Sequence, residues 1–213
     1  MKYKTIVFDL DGTLVDSSRT ILTGFNYALE PFGIQVSRDQ VEVMRSMTSQ
    51  DLFRDFLSEC DAKMAVERLC DYSLQAATDT RLFPGIKTLI DTLVYKNVTL
   101  GLWTGRDQPS ALKILQTHNL DQYFKVMVGV CGVKKNKPDP EGLHLIASTL
   151  NVPIETLLHI GDHEHDLFGA KAAGAVAVHA QWCPLGKSNP HFTTPDFSFA
   201  TIEDFTLWLN QVL

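Results

Sequence analysis

Five short apolar runs constrain this chain more than anything else in it. They are Thr5–Phe8, Val98–Trp103, Lys125–Gly129, Leu157–Ile160 and Ala175–Ala180, all rich in Val, Ile or Leu. None alternates strictly between apolar and polar residues, which is how strands buried on both faces read. Helical spacing fills the gaps between the later runs, at Ile86–Lys96, Gln108–His118, Glu141–Leu150 and Glu164–Ala173. Pro109 suits a first helical turn and Asn119 a helix stop. Strand–helix alternation of this kind predicts an α/β fold on a parallel sheet.

One stretch departs from that rhythm. Between Ser17 and Thr80 the pattern is helical throughout, at Ile21–Glu30, Arg38–Met44, Gln50–Ser58 and Ala62–Ala77. Leu52, Phe53, Phe56 and Leu57 fall on one face at helical spacing. Pro31–Gly33 breaks the pattern, and Phe83–Pro84–Gly85 marks the return to the α/β body. A helical module of roughly sixty residues is therefore expected between the first strand and the rest. Ser198–Leu213 reads as a short strand followed by a closing helix around Phe205, Leu207, Trp208 and Leu209.

Length and charge narrow the function classes. A chain of 213 residues can bury a core without disulfide or metal staples. The net charge of −6 makes it a poor candidate for wrapping nucleic acid or docking on anionic lipid, yet leaves anionic small substrates open. Cys60, Cys70, Cys131 and Cys183 form no paired motif, as expected of free thiols in a reducing compartment. The opening MKYKTIVFDL has no long apolar stretch of the signal-peptide kind. No apolar run reaches the ~18 residues of a membrane span. The expectation is a cytoplasmic protein.

Four motifs carry chemistry, each at the end of an expected strand. Asp9–Leu10–Asp11–Gly12–Thr13 places two carboxylates one residue apart in a glycine turn. One such group can attack while the other manages protons, and both are hard ligands of the kind Mg²⁺ prefers. An Asp-Gly pair by itself is more often only a turn former. Thr104–Gly105–Arg106 offers a hydroxyl and backbone N–H groups at a strand-to-helix turn, where a phosphoryl oxygen can bind. Lys137 lies in a basic loop whose backbone is fixed by Pro138 and Pro140, whereas Lys134 and Lys135 read as solvated. Asp162 ends the Leu157–Ile160 run as a candidate metal ligand, and Asp166 sits in the first turn of the next helix.

In this order and at strand ends, FDLDGTLVDS, KPDP and GDHEHDLFGAKAAG resemble the haloacid dehalogenase-like superfamily across essentially the whole chain. The resemblance implies a Rossmann-like parallel-sheet core, residues 1–15 and 82–213, with an inserted all-helical cap of C1 type at residues 16–81. Asp9 would be the nucleophile, forming an aspartyl-phosphate. Asp11 would be the general acid and then the base. Thr13 would help fix the Asp11 turn, while Thr104 and the backbone N–H of Gly105 would bind the phosphoryl group. Lys137 would balance charge on Asp9 and the phosphate. Mg²⁺ would be held by Asp9, the Asp11 backbone carbonyl and Asp162. Asp166 would stand behind them, orienting Lys137 or a water of the metal's shell.

Asp11 separates this chain from the family's dehalogenases, which are expected to lack that second acid. PGIKTLI and KPDPEGL, with the cap type, look most like the phosphoglycolate phosphatase-like branch. The expected function is Mg²⁺-dependent hydrolysis of a small phosphate monoester, by a monomer or homodimer. The alternatives are a sugar phosphomutase resembling β-phosphoglucomutase and, less favoured, a non-catalytic binding protein on the same fold. Two departures from the family pattern stand out. Gly105 replaces the usual Asn, and His163 stands where Ser or Thr is frequent, with His165 nearby; local hydrogen bonding at the site rim is the expected role of the two histidines. Arg45, in a segment joining two cap helices, and Arg106 are candidate substrate contacts. Against those roles stand a helix-end Arg on its dipole and a first-turn residue facing solvent.

Overall fold

The computed structural model describes residues 3–44, 52–183 and 193–213. Six parallel strands form one sheet in the order β5-β4-β1-β6-β7-β8. They are β1 (Thr5–Phe8), β4 (Thr99–Trp103), β5 (Phe124–Val128), β6 (Leu157–Gly161), β7 (Val176–Ala180) and β8 (Phe197–Phe199). β1 pairs in unbroken register with both neighbours, Val7 lying opposite Gly101 on one side and His159 on the other, while the β4–β5 pairing shifts register between Leu100 and Gly101.

Side chains of successive strand residues leave opposite faces, and that decides which helix packs where. Ile6, Phe8, Leu100, Leu102, Leu158 and Ile160 point to one face. There they meet α4 (Ile86–Tyr95), α5 (Gln108–Thr117) and α8 (Ile202–Val212) through residues such as Leu89, Ile114 and Phe205. Val7, Trp103, Leu157 and Ala177 point to the other face and meet α6 (Glu141–Leu150) and α7 (Glu164–Ala173). A sheet covered on both faces needs apolar residues at every position, which is why the strands read as unbroken runs.

The helical segment leaves and re-enters this body through two adjacent short strands. β2 (Val15–Asp16) pairs antiparallel with β3 (Arg81–Leu82), Val15 opposite Leu82. Neither was expected, because strands of two residues carry no period to read. Between them run α1 (Ser18–Leu29), α2 (Arg38–Met44) and α3 (Glu59–Gln75). Phe25, Ala28, Leu29, Val41, Phe53 and Ala65 form a buried cluster separate from both faces of the sheet. Ser58 starts α3 by accepting from the Asp61 N–H, with Glu59 and Asp61 in the first turn favouring the helix dipole.

The expected helix over Gln50–Ser58 is a correction. Gln50 lies outside the described residues, and Leu52–Ser58 forms turns instead of a helix. The Phe53 carbonyl accepts from both Phe56 and Leu57, a single tightened turn that is not continued. Leu52 and Phe53 are buried while Phe56 is exposed, so the apolar face is split. α1 and α3 begin three residues earlier than the spacing suggested, at Ser18 and Glu59. Arg45 lies outside the described residues. No helix among the described residues is long and apolar enough to cross a membrane.

Candidate active site

The chain runs from β1 to β4 and β5 on one side, then crosses back to β6, β7 and β8 on the other. In an open sheet, ligands bind outside the strand C-termini where the winding reverses. Asp9 and Asp11 follow β1, Thr104–Arg106 follow β4, and Asp162 follows β6. All six line one cavity or its carboxylate floor.

Asp9 is tied to the neighbouring strand by its N–H, which donates to the Ile160 carbonyl at 2.8 Å. Its Oδ1 accepts from Lys137 Nζ at 2.7 Å. Lys137 also donates to Asp166 Oδ1 at 2.5 Å and stands 4.8 Å above the Trp103 ring. The Lys137–Pro138 peptide is cis. Trp103, expected in the core, is buried there and also forms the platform under this lysine.

Asp9, Asp162 and Asp166 each bring a buried carboxylate oxygen within 4.8 Å of the other two. Two glycines allow this. Gly12 has φ +83°, and a Cβ there would run into the Asp162 carboxylate. A Cβ on Gly161 would run into the carboxylate of Asp166. The donors are all oxygen, which suits a hard divalent cation. The Asp166 oxygens are committed elsewhere: Oδ1 to Lys137 and His159, Oδ2 to the His163 N–H at 3.2 Å. Asp9 Oδ1 likewise accepts from Lys137, and all three carboxylates could contribute an oxygen to a cation.

Electrostatics follow from this crowding. Burial, with the charges of Asp166 and Asp11, outweighs Lys137 and pushes the Asp9 carboxyl up to about 7. Burial also opposes the charge on Asp166, but Lys137 and His159 overcome it and hold that carboxyl well below the usual range. Lys137 pays a burial penalty too, which Asp166 and Asp9 outweigh, so its ammonium is held above its ordinary value. A divalent cation is the natural counter-charge for such a cluster.

Asp11 is engaged from the other side. Arg106 Nε donates to its Oδ2 at 2.6 Å and Arg106 Nη2 to its Oδ1 at 2.8 Å, a bidentate pair. Arg106 thus packs into the site rather than facing solvent. Thr104 is buried; its Oγ1 accepts from the Arg106 N–H at 3.2 Å, and its hydroxyl hydrogen can still donate. Gly105 is exposed, and a Cβ there would meet nothing within 4 Å. Thr13 is buried, with its carbonyl accepting from Trp182 Nε1 at 2.9 Å. His163 begins α7, its Nδ1 accepting from the His165 N–H. No histidine belongs to the carboxylate cluster found among the described residues.

Sequence reasoning passed over His159. It is buried in β6, with Nδ1 3.1 Å from the Val7 carbonyl and Nε2 3.1 Å from Asp166 Oδ1. Burial lowers its pKa. The available signal was a polar residue inside an otherwise apolar strand that ends in the site.

A doubly covered parallel sheet with a carboxylate cluster at its winding reversal defines an α/β protein with a ligand site outside the strand C-termini. The family model of haloacid dehalogenase-like hydrolases matches residues 6–180. The chain belongs to that family. It is 28% identical over 207 residues to the pyrophosphatase PpaX of Listeria monocytogenes, covering 95% of this chain and 94% of the other. It is also 28% identical to the phosphoglycolate phosphatase of Photorhabdus laumondii over 184 residues, covering 82% and 79%. A haloacid dehalogenase-like hydrolase from Streptococcus pneumoniae shares the fold, with a TM-score of 0.82, 22% identity and 98% and 99% of the two chains covered.

Proposed function

We propose that this hydrolase is a Mg²⁺-dependent phosphatase that cleaves a small phosphate monoester through a phosphorylated Asp9. The observation that carries the reading is the buried Asp9–Lys137–Asp166 chain beside Asp162, with Asp11 on the other side of the same cavity. A binding module has no need of an attacking carboxylate, a second acid, a paired lysine and a hard-ligand cluster together. Relatives named as a pyrophosphatase and a phosphoglycolate phosphatase support P–O bond hydrolysis as the reaction class.

In the first step an Asp9 oxygen attacks phosphorus and the bond to the leaving oxygen breaks. Asp11 gives that oxygen its proton. For this transfer Asp11 must be protonated, so its bidentate pair with Arg106 describes the deprotonated state that follows. Asp11 then takes a proton from water as the water attacks phosphorus, and phosphate leaves Asp9 intact. Thr104 and the backbone N–H of Gly105 hold the phosphoryl oxygens. Lys137 offsets charge on Asp9, and Asp166 with His159 behind it fixes Lys137 in place. Asp9, the Asp11 carbonyl and Asp162 are the residues that would hold Mg²⁺, which when bound supplies positive charge against carboxylate–phosphate repulsion. The helices between β2 and β3 act as a cap that screens the reaction from water.

A panel of phosphorylated metabolites with Mg²⁺, read for free phosphate and for isomerised product together, tests this. Phosphate release that stops in excess chelator is expected. Isomerised product without phosphate would make the chain a mutase, and neither product would remove catalysis altogether.

A further inference from the structure

Lys137 reaches the site on a loop, at the end of a long and flexible side chain. Two of its hydrogen bonds go to Asp9 Oδ1 at 2.7 Å and to Asp166 Oδ1 at 2.5 Å. Two acceptors fix an ammonium at two points and leave it free to swing about the line between them. The Trp103 ring closes a further side, with Nζ 4.8 Å from its centroid. The Lys137 side chain is only 10% exposed. An ammonium buried against an aliphatic side chain loses hydration with nothing in return. Against an aromatic face, the ring quadrupole attracts it.

The indole is itself held from several directions. Trp103 is buried at the end of β4. The His159 ring lies 4.9 Å away, centroid to centroid, and the same histidine bonds Asp166. Helices α6 and α7 come close through glycines. A Cβ on Gly142 would lie 2.1 Å from Trp103 Nε1, and one on Gly169 would lie 2.4 Å from its Cη2. The Cβ on Gly169 would also stand 3.2 Å from the Pro138 carbonyl oxygen. The loop that carries Lys137 and the ring beneath it therefore rest on one stretch of α7. Close packing on these sides fixes the orientation of the ring, and so the direction of its face.

Burial alone would be served by any large apolar side chain. An aromatic face turned to the lysine that pairs with the proposed nucleophile does more. Resting on the phosphatase reading, we infer that Trp103 is a positioning residue for the reaction. Its face, set by Gly142, Gly169 and His159, holds the Lys137 ammonium against Asp9.

Trp103→Phe and Trp103→Leu test this on the full chain with Mg²⁺ and an aryl phosphate. Both lose indole volume and share that packing cost, but only Phe keeps a ring face. kcat is expected to be about tenfold or more lower in Trp103→Leu than in Trp103→Phe, the scale of a desolvated cation–π contact. KM should stay within about threefold in both, because the lost aim is felt in the transition state. A second measurement leaves the ring shape in place. The chain made with singly and then doubly fluorinated tryptophan has a progressively weaker ring face, and kcat should fall stepwise at an unchanged melting temperature. In the fluorine spectrum, the Trp103 resonance, identified by its loss in Trp103→Phe or Trp103→Leu, should move in Lys137→Met while those of Trp182 and Trp208 stay. Equal kcat in the Phe and Leu variants, a change confined to KM or melting temperature, or a kcat indifferent to ring fluorination would overturn the inference. If neither variant folds, the fluorinated series decides. The expected fluorine shift with no phosphate released by the unmodified chain would support the contact and overturn the phosphatase reading instead.

Discussion

Asp9 is buried beside the carboxylates of Asp11 and Asp166, with Lys137 as its paired cation. Its carboxyl is raised from 3.8 to about 7, with burial as the largest cause. A raised carboxyl favours the fold while protonated, so that stabilisation is present at low pH and is lost as pH rises through about 7. Asp166 behaves in the opposite sense. Its depressed carboxyl stabilises the fold above the ordinary aspartate value, and that contribution is lost as pH falls below it. Asp9→Asn should therefore abolish phosphate release and, in chelator at pH 8, raise the melting temperature by about 2–4 °C. Scanning calorimetry checks this, and a lower melting temperature would contradict it. Asp11→Asn should slow turnover by about 10²–10⁴-fold, the usual scale of a lost acid–base group, in single-turnover assays that resolve both half-reactions. Gly105→Asn should leave the melting temperature unchanged to within about 2 °C, because the new side chain enters open space.

At the scale of elements, strands that end in the site were legible because burial on both faces writes an unbroken apolar run. β1 matches its expected bounds at Thr5–Phe8, and α6 and α7 match theirs at Glu141–Leu150 and Glu164–Ala173. What depends on distant pairing was not legible. β2 and β3 are two residues each and exist only because Val15 meets Leu82 across the helical segment. The Leu52–Leu57 spacing fits a helix and a set of turns equally, since both bring residues three and four apart together. Arg106 and Asp11 are 95 positions apart, so nothing local distinguishes a guanidinium paired to a carboxylate of the site from one in solvent. His159 hid inside a core strand. The Ser58 cap of α3 falls at the end of the expected Gln50–Ser58 helix, so it was not legible either. Ser58→Ala should cost about 1 kcal/mol, read as a melting point lower by about 2–4 °C with turnover on small esters retained.

For the molecule as a whole, the net charge of −6 first served only to set aside polyanion partners. Four of the acidic residues, Asp9, Asp11, Asp162 and Asp166, converge on one end of the sheet, where Lys137 pairs with Asp9 and Asp166 and Arg106 with Asp11. The sheet body supplies the charged groups that line the cavity, and the described residues of the helical segment between β2 and β3 that line it are mostly apolar. The central claim is that a phosphoryl group passes through Asp9. It is tested most directly by mixing the protein with Mg²⁺ and an aryl phosphate, quenching in acid within one turnover, and mapping peptides by mass spectrometry. One added phosphoryl group is expected on the peptide that contains Asp9, accumulating in Asp11→Asn and absent in Asp9→Asn. Phosphate released with that peptide never modified, or with the phosphoryl group on another residue, would contradict it.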